Sequence, residues 1–215
     1  MIKRFACFAA IFLGLLAPAG AQEAGGAPPP PQTTEVVLET TLGPITVALE
    51  TERAPVTAGN FLRYAEEGRF DGTVFYRAMH LAWGEQPNGL VQGGTQNDPG
   101  RILAPIAHEP TNKTGIRHKA GTISMARYAP GTATGDFSIM LADMPGLDAN
   151  PEREDPDEQA GFAAFGRVTA GMDVVRAIFD APIDPDRGEG WMKGQMLAEP
   201  VVILRAYRPR AGAAD

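Results

Sequence analysis

The chain has 215 residues, with 19 Lys and Arg against 26 Asp and Glu, and a formal net charge of −7. That balance argues against a polyanion partner such as nucleic acid, which calls for a basic stripe. The single cysteine, Cys7, lies near the start of the chain, so the rest of the sequence has no residue for disulfide or thiol chemistry.

The start of the chain reads as an export signal. "MIKR" is a basic start, "FACFAAIFLGLLAP" is an apolar run and "AGA" at 19–21 is a small-x-small cleavage pattern. Residues 1–21 are therefore predicted to be removed, leaving Gln22 first; an uncleaved N-terminal anchor is the alternative. The apolar run is shorter than the ~20 residues a bilayer span needs, so no stable membrane insertion is expected after cleavage. Losing Lys3 and Arg4 would take the net charge from −7 to −9. "QEAGGAPPPPQTT" at 22–34 is Gly/Pro-rich, lacks an apolar period and is predicted to be a spacer. Residues 35–208 form the predicted domain, and 209–215 a flexible tail.

Within the domain, "EVVLETTLGPITVALE" reads as two strands joined by a turn. "APVTAGNFLRYAEEG" places Ala58, Phe61, Leu62 and Ala65 on one helical face, opened by Pro55 and closed by Gly68. "TVFYRAM", "GLVQGG", "GTISMAR", "DFSIMLA" and "AAFGRVTA" come next as short strands. A second helix starts at "GMDVVRAIFD", and "PVVILRAYRP" is a closing strand. "DANPEREDPDEQA" at 148–160 carries six acidic residues against one arginine and is predicted to be a solvated surface loop. Many short strands with two helices indicate an all-β barrel or sandwich.

No metal-ligand spacing connects His80, His108 and His118, and no nucleophile elbow or phosphate loop is present. In order along the chain, "FYR" at 75–77, "QGG" at 92–94, "GTISMAR" at 121–127, "GDFSIMLAD" at 135–143 and "AAFGRVTAGMDVV" at 163–175 resemble the cyclophilin-type peptidyl-prolyl cis/trans isomerases. "APVTAGNF" is similar to that family's first helix and "VVILRAY" to its last strand. The signal-like start, "SMAR" and the "VVIL" ending are most similar to its periplasmic bacterial branch.

The resemblance implies an all-β fold with two helices, a closed eight-stranded antiparallel barrel capped by two α-helices. It implies isomerisation of X–Pro bonds in exported proteins, assisting their folding in the periplasm or outside the cell. The implied partners are proline-containing polypeptides of the envelope. No cofactor, metal or nucleic acid is implied, and the chain is expected to act as a monomer. The alternative is a catalytically weakened module that binds peptides through the same groove.

The chemistry fits the residues. Amide resonance opposes rotation by ~18–20 kcal/mol, and X–Pro isomers exchange over tens to hundreds of seconds. At the twisted transition state the nitrogen lone pair is localised and can accept a hydrogen bond. A guanidinium is permanently charged and donates only, so it can serve without titrating. By resemblance Arg77 takes that role, and Gln92 positions either the arginine or the substrate carbonyl. Ala126 and the backbone of Arg127 match a strand edge that pairs with peptide, and Leu90 and Leu147 match pocket residues.

Strand alternation puts Phe75 with Arg77, Leu90 with Gln92, and Asp136 with Ser138 on the groove side. Several positions depart from the family. Ser138 stands where it has phenylalanine, Asp136 where it has glutamine and Gly146 where it has tryptophan. Gly89 replaces a phenylalanine and Phe162 a histidine, and extra residues separate Arg77 from Gln92. These departures carry two expectations. Asp136 pairs with Arg77 or Arg127, and Trp83 either refills the proline pocket or packs under its own loop.

Overall fold

The computed structural model describes residues 30–210. The predicted signal, most of the predicted spacer and the last five residues, 211–215, lie outside the described residues. Strands β1 (Thr34–Thr40) and β2 (Gly43–Leu49) form the predicted hairpin, with Thr40 paired to Gly43 across the turn. Helix α1 (Pro55–Glu66) has proline at its first turn, where a missing N–H costs nothing. Its N-terminus is capped from a distance: the Glu109 carboxylate accepts from Thr57 N at 2.7 Å and Val56 N at 3.3 Å. Those amides would otherwise lack partners, and the negative charge suits the positive end of the helix.

Strands β3 (Val74–His80) and β4 (Gly89–Gly94) come next, then a four-residue helix α2 (Thr111–Thr114). After it stand strands β5 (Thr122–Met125) and β6 (Phe137–Met140), helix α3 (Pro156–Ala160) and strand β7 (Ala164–Ala170). Helix α4 (Met172–Phe179), the two-residue strand β8 (Ile183–Asp184) and the long strand β9 (Met196–Tyr207) complete the chain. All pairings are antiparallel, in the order β1-β2-β7-β5-β6-β4-β3-β9, and β9 pairs back to β1. Eight strands therefore close into a barrel with no free edge, while β8 is a ninth strand hung on β9.

The interior is filled by alternating strand residues: Val36 and Leu38, Ile45 and Val47, Ile123, Phe137 and Ile139, and Ile203. Phe137 is the hub, with edge-on contacts to Phe61 of α1 at 5.2 Å, Phe70 at 5.5 Å and Phe75 at 5.6 Å between ring centroids. Each such buried ring contributes ~1.5–3 kcal/mol from area alone. Helix α1 packs over β7 and β9, and α4 over β2, β3 and β4. These are the two helices expected from the sequence. The acidic segment is not wholly a loop: its end winds into α3, where the Asp155 carboxylate caps Asp157 N at 2.7 Å.

One irregularity sets up the site. In the β3–β4 pairing Phe75 faces Gly93 and Arg77 faces Gln92, so Tyr76 is an extra residue on β3. Such a bulge reverses the inside–outside alternation. Phe75 consequently points into the core, fully buried against Phe137, and not into the groove as strict alternation predicts. Ala78, one place beyond Arg77, is again a core residue.

Candidate active site

A groove of about 530 Å³ runs across the outside of β3, β4, β5 and β6. Arg77, Gln92, Leu90, Ala126, Arg127, Asp136, Ser138, Leu147 and Phe162 all line it, although they come from distant parts of the chain. Phe75 does not, because the bulge at Tyr76 turns it inward. Nor does Trp83, which is 69% exposed and whose backbone carbonyl is tied to Asn88 Nδ2 at 2.7 Å. It neither fills the pocket nor packs beneath its loop. The tryptophan in the groove is Trp191.

Arg77 is 3% exposed, yet among the described residues it meets no carboxylate. Its Nη1 donates to Gln92 Oε1 at 2.6 Å, and its Nε and Nη2 donate to Gln195 Oε1 at 2.9 and 2.7 Å. The Trp191 ring lies over the guanidinium, 4.4 Å from its centre. Burial pulls the Arg77 pKa down to about 10, which leaves it charged at neutral pH. Five N–H groups are available on a guanidinium. The Nη1 and Nη2 groups each have one N–H with no hydrogen-bond partner among the described residues.

Beside Arg77 the wall is apolar. Leu90, Met140 and Met144 form a buried cluster, with Met79, Leu81 and Leu147 packed against it. Gly89, which precedes this wall, is fixed by its backbone. At φ 144° an added Cβ would stand 1.9 Å from the Met79 carbonyl. Ser138 faces Gln92 on β4 and Ser124 on β5, which makes this part of the floor small and polar.

The other end is built around Asp136 and Arg127, which do not pair with each other. The buried Asp136 carboxylate accepts from Gln96 N at 2.8 Å, Asn97 N at 3.3 Å, Tyr76 Oη at 3.2 Å and Thr95 Oγ1 at 3.5 Å. The expected contact with Arg77 or Arg127 is therefore replaced by neutral donors, because the bulge brings Tyr76 to this side. Burial pushes the Asp136 pKa up against the pull of the Gln96 and Asn97 amides. Burial and the nearby Asp136 charge push the Tyr76 hydroxyl up as well. Gln96 and Asn97 sit at φ 50° and 56°, a left-handed pair whose amides converge on the carboxylate.

The Arg127 side chain donates to the Gly161 carbonyl at 2.7 and 3.2 Å, the Asp157 carboxylate at 3.2 Å and the Tyr128 carbonyl at 2.9 Å. Phe162 lies 4.7 Å below it. Its donors are thus committed to holding α3 at the groove end. Ala126 donates its N–H to the Asp136 carbonyl at 2.9 Å, so a peptide laid along this edge would use the Ala126 carbonyl.

A polar relay supports the floor. His118 Nδ1 lies 2.8 Å from Asp148 Oδ1, and Nε2 lies 2.8 Å from Ser124 Oγ. The carboxylate fixes the proton on Nδ1 and leaves Nε2 to accept from the serine. Burial pushes the His118 pKa down, more than Asp148 pulls it up. The relay ties β5 to Asp148, next to Leu147. Among the described residues no group of three His, Cys, Asp or Glu side chains is placed to hold a metal ion.

Sequence reasoning missed Trp191, Gln195 and Tyr76. The one available signal was "GEGWMKGQ" at 188–195, a tryptophan isolated among glycines and polar residues.

The fold and site define a closed antiparallel barrel whose outer groove joins an apolar wall to a buried arginine held by neutral amides. The comparisons make this specific. Residues 35–207 match the family model for cyclophilin-type peptidyl-prolyl cis-trans isomerases. The chain is 38% identical over 153 residues to a peptidyl-prolyl cis-trans isomerase of Acinetobacter baylyi, covering 69% of this chain and 73% of that one. It is 36% identical over 175 residues to an isomerase of Streptomyces antibioticus, covering 80% of this chain and 96% of the other. Among solved structures, a cyclophilin-type isomerase of Cryptosporidium parvum superposes with a TM-score of 0.64 at 18% identity, covering 83% of this chain and 99% of that one. This chain belongs to the cyclophilin-type peptidyl-prolyl cis-trans isomerase family, and its activity is peptidyl-prolyl cis-trans isomerisation.

Proposed function

We propose that Arg77 performs the catalytic step by donating to the prolyl nitrogen as the amide twists, with Gln92 holding the guanidinium in place. The proline ring lies against Leu90 and Leu147, over Ser138. The residues before it run along Ala126 and Arg127 past Asp136, toward Phe162. The observation that carries this reading is a buried arginine whose partners are all neutral amide oxygens. A carboxylate would neutralise its field. Amide oxygens fix its geometry and leave the positive charge for a lone pair that exists only at the transition state, which is how selective stabilisation raises kcat.

The substrates are X–Pro bonds of exported polypeptides, in the periplasm or beyond it, and the chain acts as a monomer without a cofactor. The signal-like pattern of residues 1–21 and the bacterial isomerases among the relatives support this reading. The site is tested by NMR exchange on a proline tetrapeptide. Arg77→Ala should lower the rate tenfold or more, equivalent to at least ~1.4 kcal/mol, with peptide affinity nearly unchanged. Equal losses of rate and affinity would make Arg77 a binding residue. N-terminal sequencing of protein recovered from the envelope should begin at Gln22; an intact Met1 there would refute cleavage.

A further inference from the structure

The arginine is held from two sides, and only one of them was visible in the motif pattern. We propose that Gln195 is a second positioning residue for isomerisation, and that Trp191 completes the cradle by covering one face of the guanidinium. The proposal rests on the reading of Arg77 as the catalytic group.

Gln195 Oε1 accepts from both Nε and Nη2 of Arg77, at 2.9 and 2.7 Å, whereas Gln92 accepts only from Nη1. Two bonds from one edge to a single oxygen hold that edge toward Gln195, whereas the one bond to Gln92 alone would leave the guanidinium free to pivot about that contact. The orientation of the Gln195 amide is set by its other end, where Nε2 donates to the Trp191 carbonyl at 2.8 Å. The site therefore needs an acceptor and a donor on one side chain, which a glutamine supplies and a glutamate does not. The Gln195 backbone carbonyl also accepts from Ala78 N at 2.9 Å, which anchors it beside Arg77 on β3.

The segment carrying these groups is braced independently of the groove. Gly194 N donates to the Arg187 carbonyl at 2.8 Å, and Arg187 Nη1 donates to the Leu197 carbonyl at 3.1 Å. Gly188 sits at φ 91°, where an added Cβ would stand 2.6 Å from the Met192 carbonyl. Trp191 is 71% exposed while the arginine beneath it is 3% exposed. The indole thus gives up its own burial to keep water from the guanidinium, and the cation over its face is favoured. A dry, oriented donor is stronger toward a developing lone pair than a hydrated, mobile one.

The test uses the full chain and a proline tetrapeptide. Gln195→Met removes the acceptor at nearly constant shape and should lower kcat ~tenfold while KM stays within ~twofold. The Arg77 Nε–H signal should lose its slow exchange with water in the same variant. Trp191→Ala should lower kcat less, and Trp191→Phe should recover most of that loss by restoring a ring. Arg77→Ala is run alongside. If Arg77→Ala is slow while Gln195→Met keeps the wild-type kcat, or keeps a protected Nε–H, this proposal fails and the reading of Arg77 survives. If Arg77→Ala itself keeps the wild-type rate, it is the reading of Arg77 that fails.

Discussion

The groove contains two arginines that look alike in isolation and are wired oppositely. Arg77 and the side chain of Arg127 are each 3% exposed, and each lies over an aromatic ring, Trp191 in one case and Phe162 in the other. Arg77 donates only to amide oxygens of glutamine side chains. Arg127 donates to the Asp157 carboxylate and to backbone carbonyls of Gly161, Asp157 and Tyr128. Burial therefore does not distinguish the cation proposed to act on substrate from the one that ties the groove end together; the partners do. A guanidinium whose donors are spent on backbone and carboxylate is a clamp. One held by neutral acceptors keeps both its charge and spare N–H groups for a ligand.

The strongest way to break this contrast is to make the same substitution at both positions. Arg77→Lys retains charge but loses the planar fork, and should cost tenfold or more in kcat, equivalent to at least ~1.4 kcal/mol. Arg127→Lys should leave kcat within ~threefold, read by the same exchange experiment. A comparable loss in both would mean that both cations act on substrate. At the Arg127 end the larger effect should be on stability. Arg127→Ala leaves the Gly161 carbonyl without its donor at a cost of ~1–3 kcal/mol. Thermal melting should fall accordingly, and hydrogen exchange should quicken over 156–162.

Asp136 sharpens the comparison because it is a groove carboxylate that neither arginine uses. Asp136→Asn removes part of the acceptor capacity that serves the Gln96 and Asn97 amides, at a cost of ~1–2 kcal/mol, measurable in urea unfolding. Turnover should not rise, since no arginine is released. A gain in turnover would show that its charge does reach Arg77.

The floor beneath both ends should respond to acid. The folded-state pKa of His118 is depressed by burial, so its contribution to stability is complete above the unfolded value of ~6.5 and is lost as pH falls through the folded value. Below ~6.5 the loss approaches ~1.4 kcal/mol per pH unit until the folded protein also takes up the proton. His118→Gln should flatten that part of the stability profile. An unchanged profile would place the acid sensitivity elsewhere. The smallest effect is expected at Trp83, outside the groove: Trp83→Ala should change stability by less than ~0.5 kcal/mol and leave peptide affinity unchanged.

The sequence by itself determined most of the segments that become strands and the two packing helices, because apolar periodicity is local and each barrel strand needs one apolar face. Through the resemblance carried by ordered blocks such as "FYR" and "QGG" it also pointed to Arg77, Gln92 and most of the residues that line the groove. Tertiary structure alone decided which way Phe75 points, because alternation holds only while a strand pairs one residue to one, and the bulge at Tyr76 breaks that count. It alone turned Asp136 toward Tyr76 and two backbone amides instead of an arginine. It also chose between the tryptophans, leaving Trp83 in solvent and bringing Trp191 and Gln195 to Arg77. Gln195 and Arg77 are 118 positions apart, and no local pattern encodes which distant turn will dock on a strand. That choice is made by the β3–β9 pairing, a long-range contact whose register exists only once the barrel has closed.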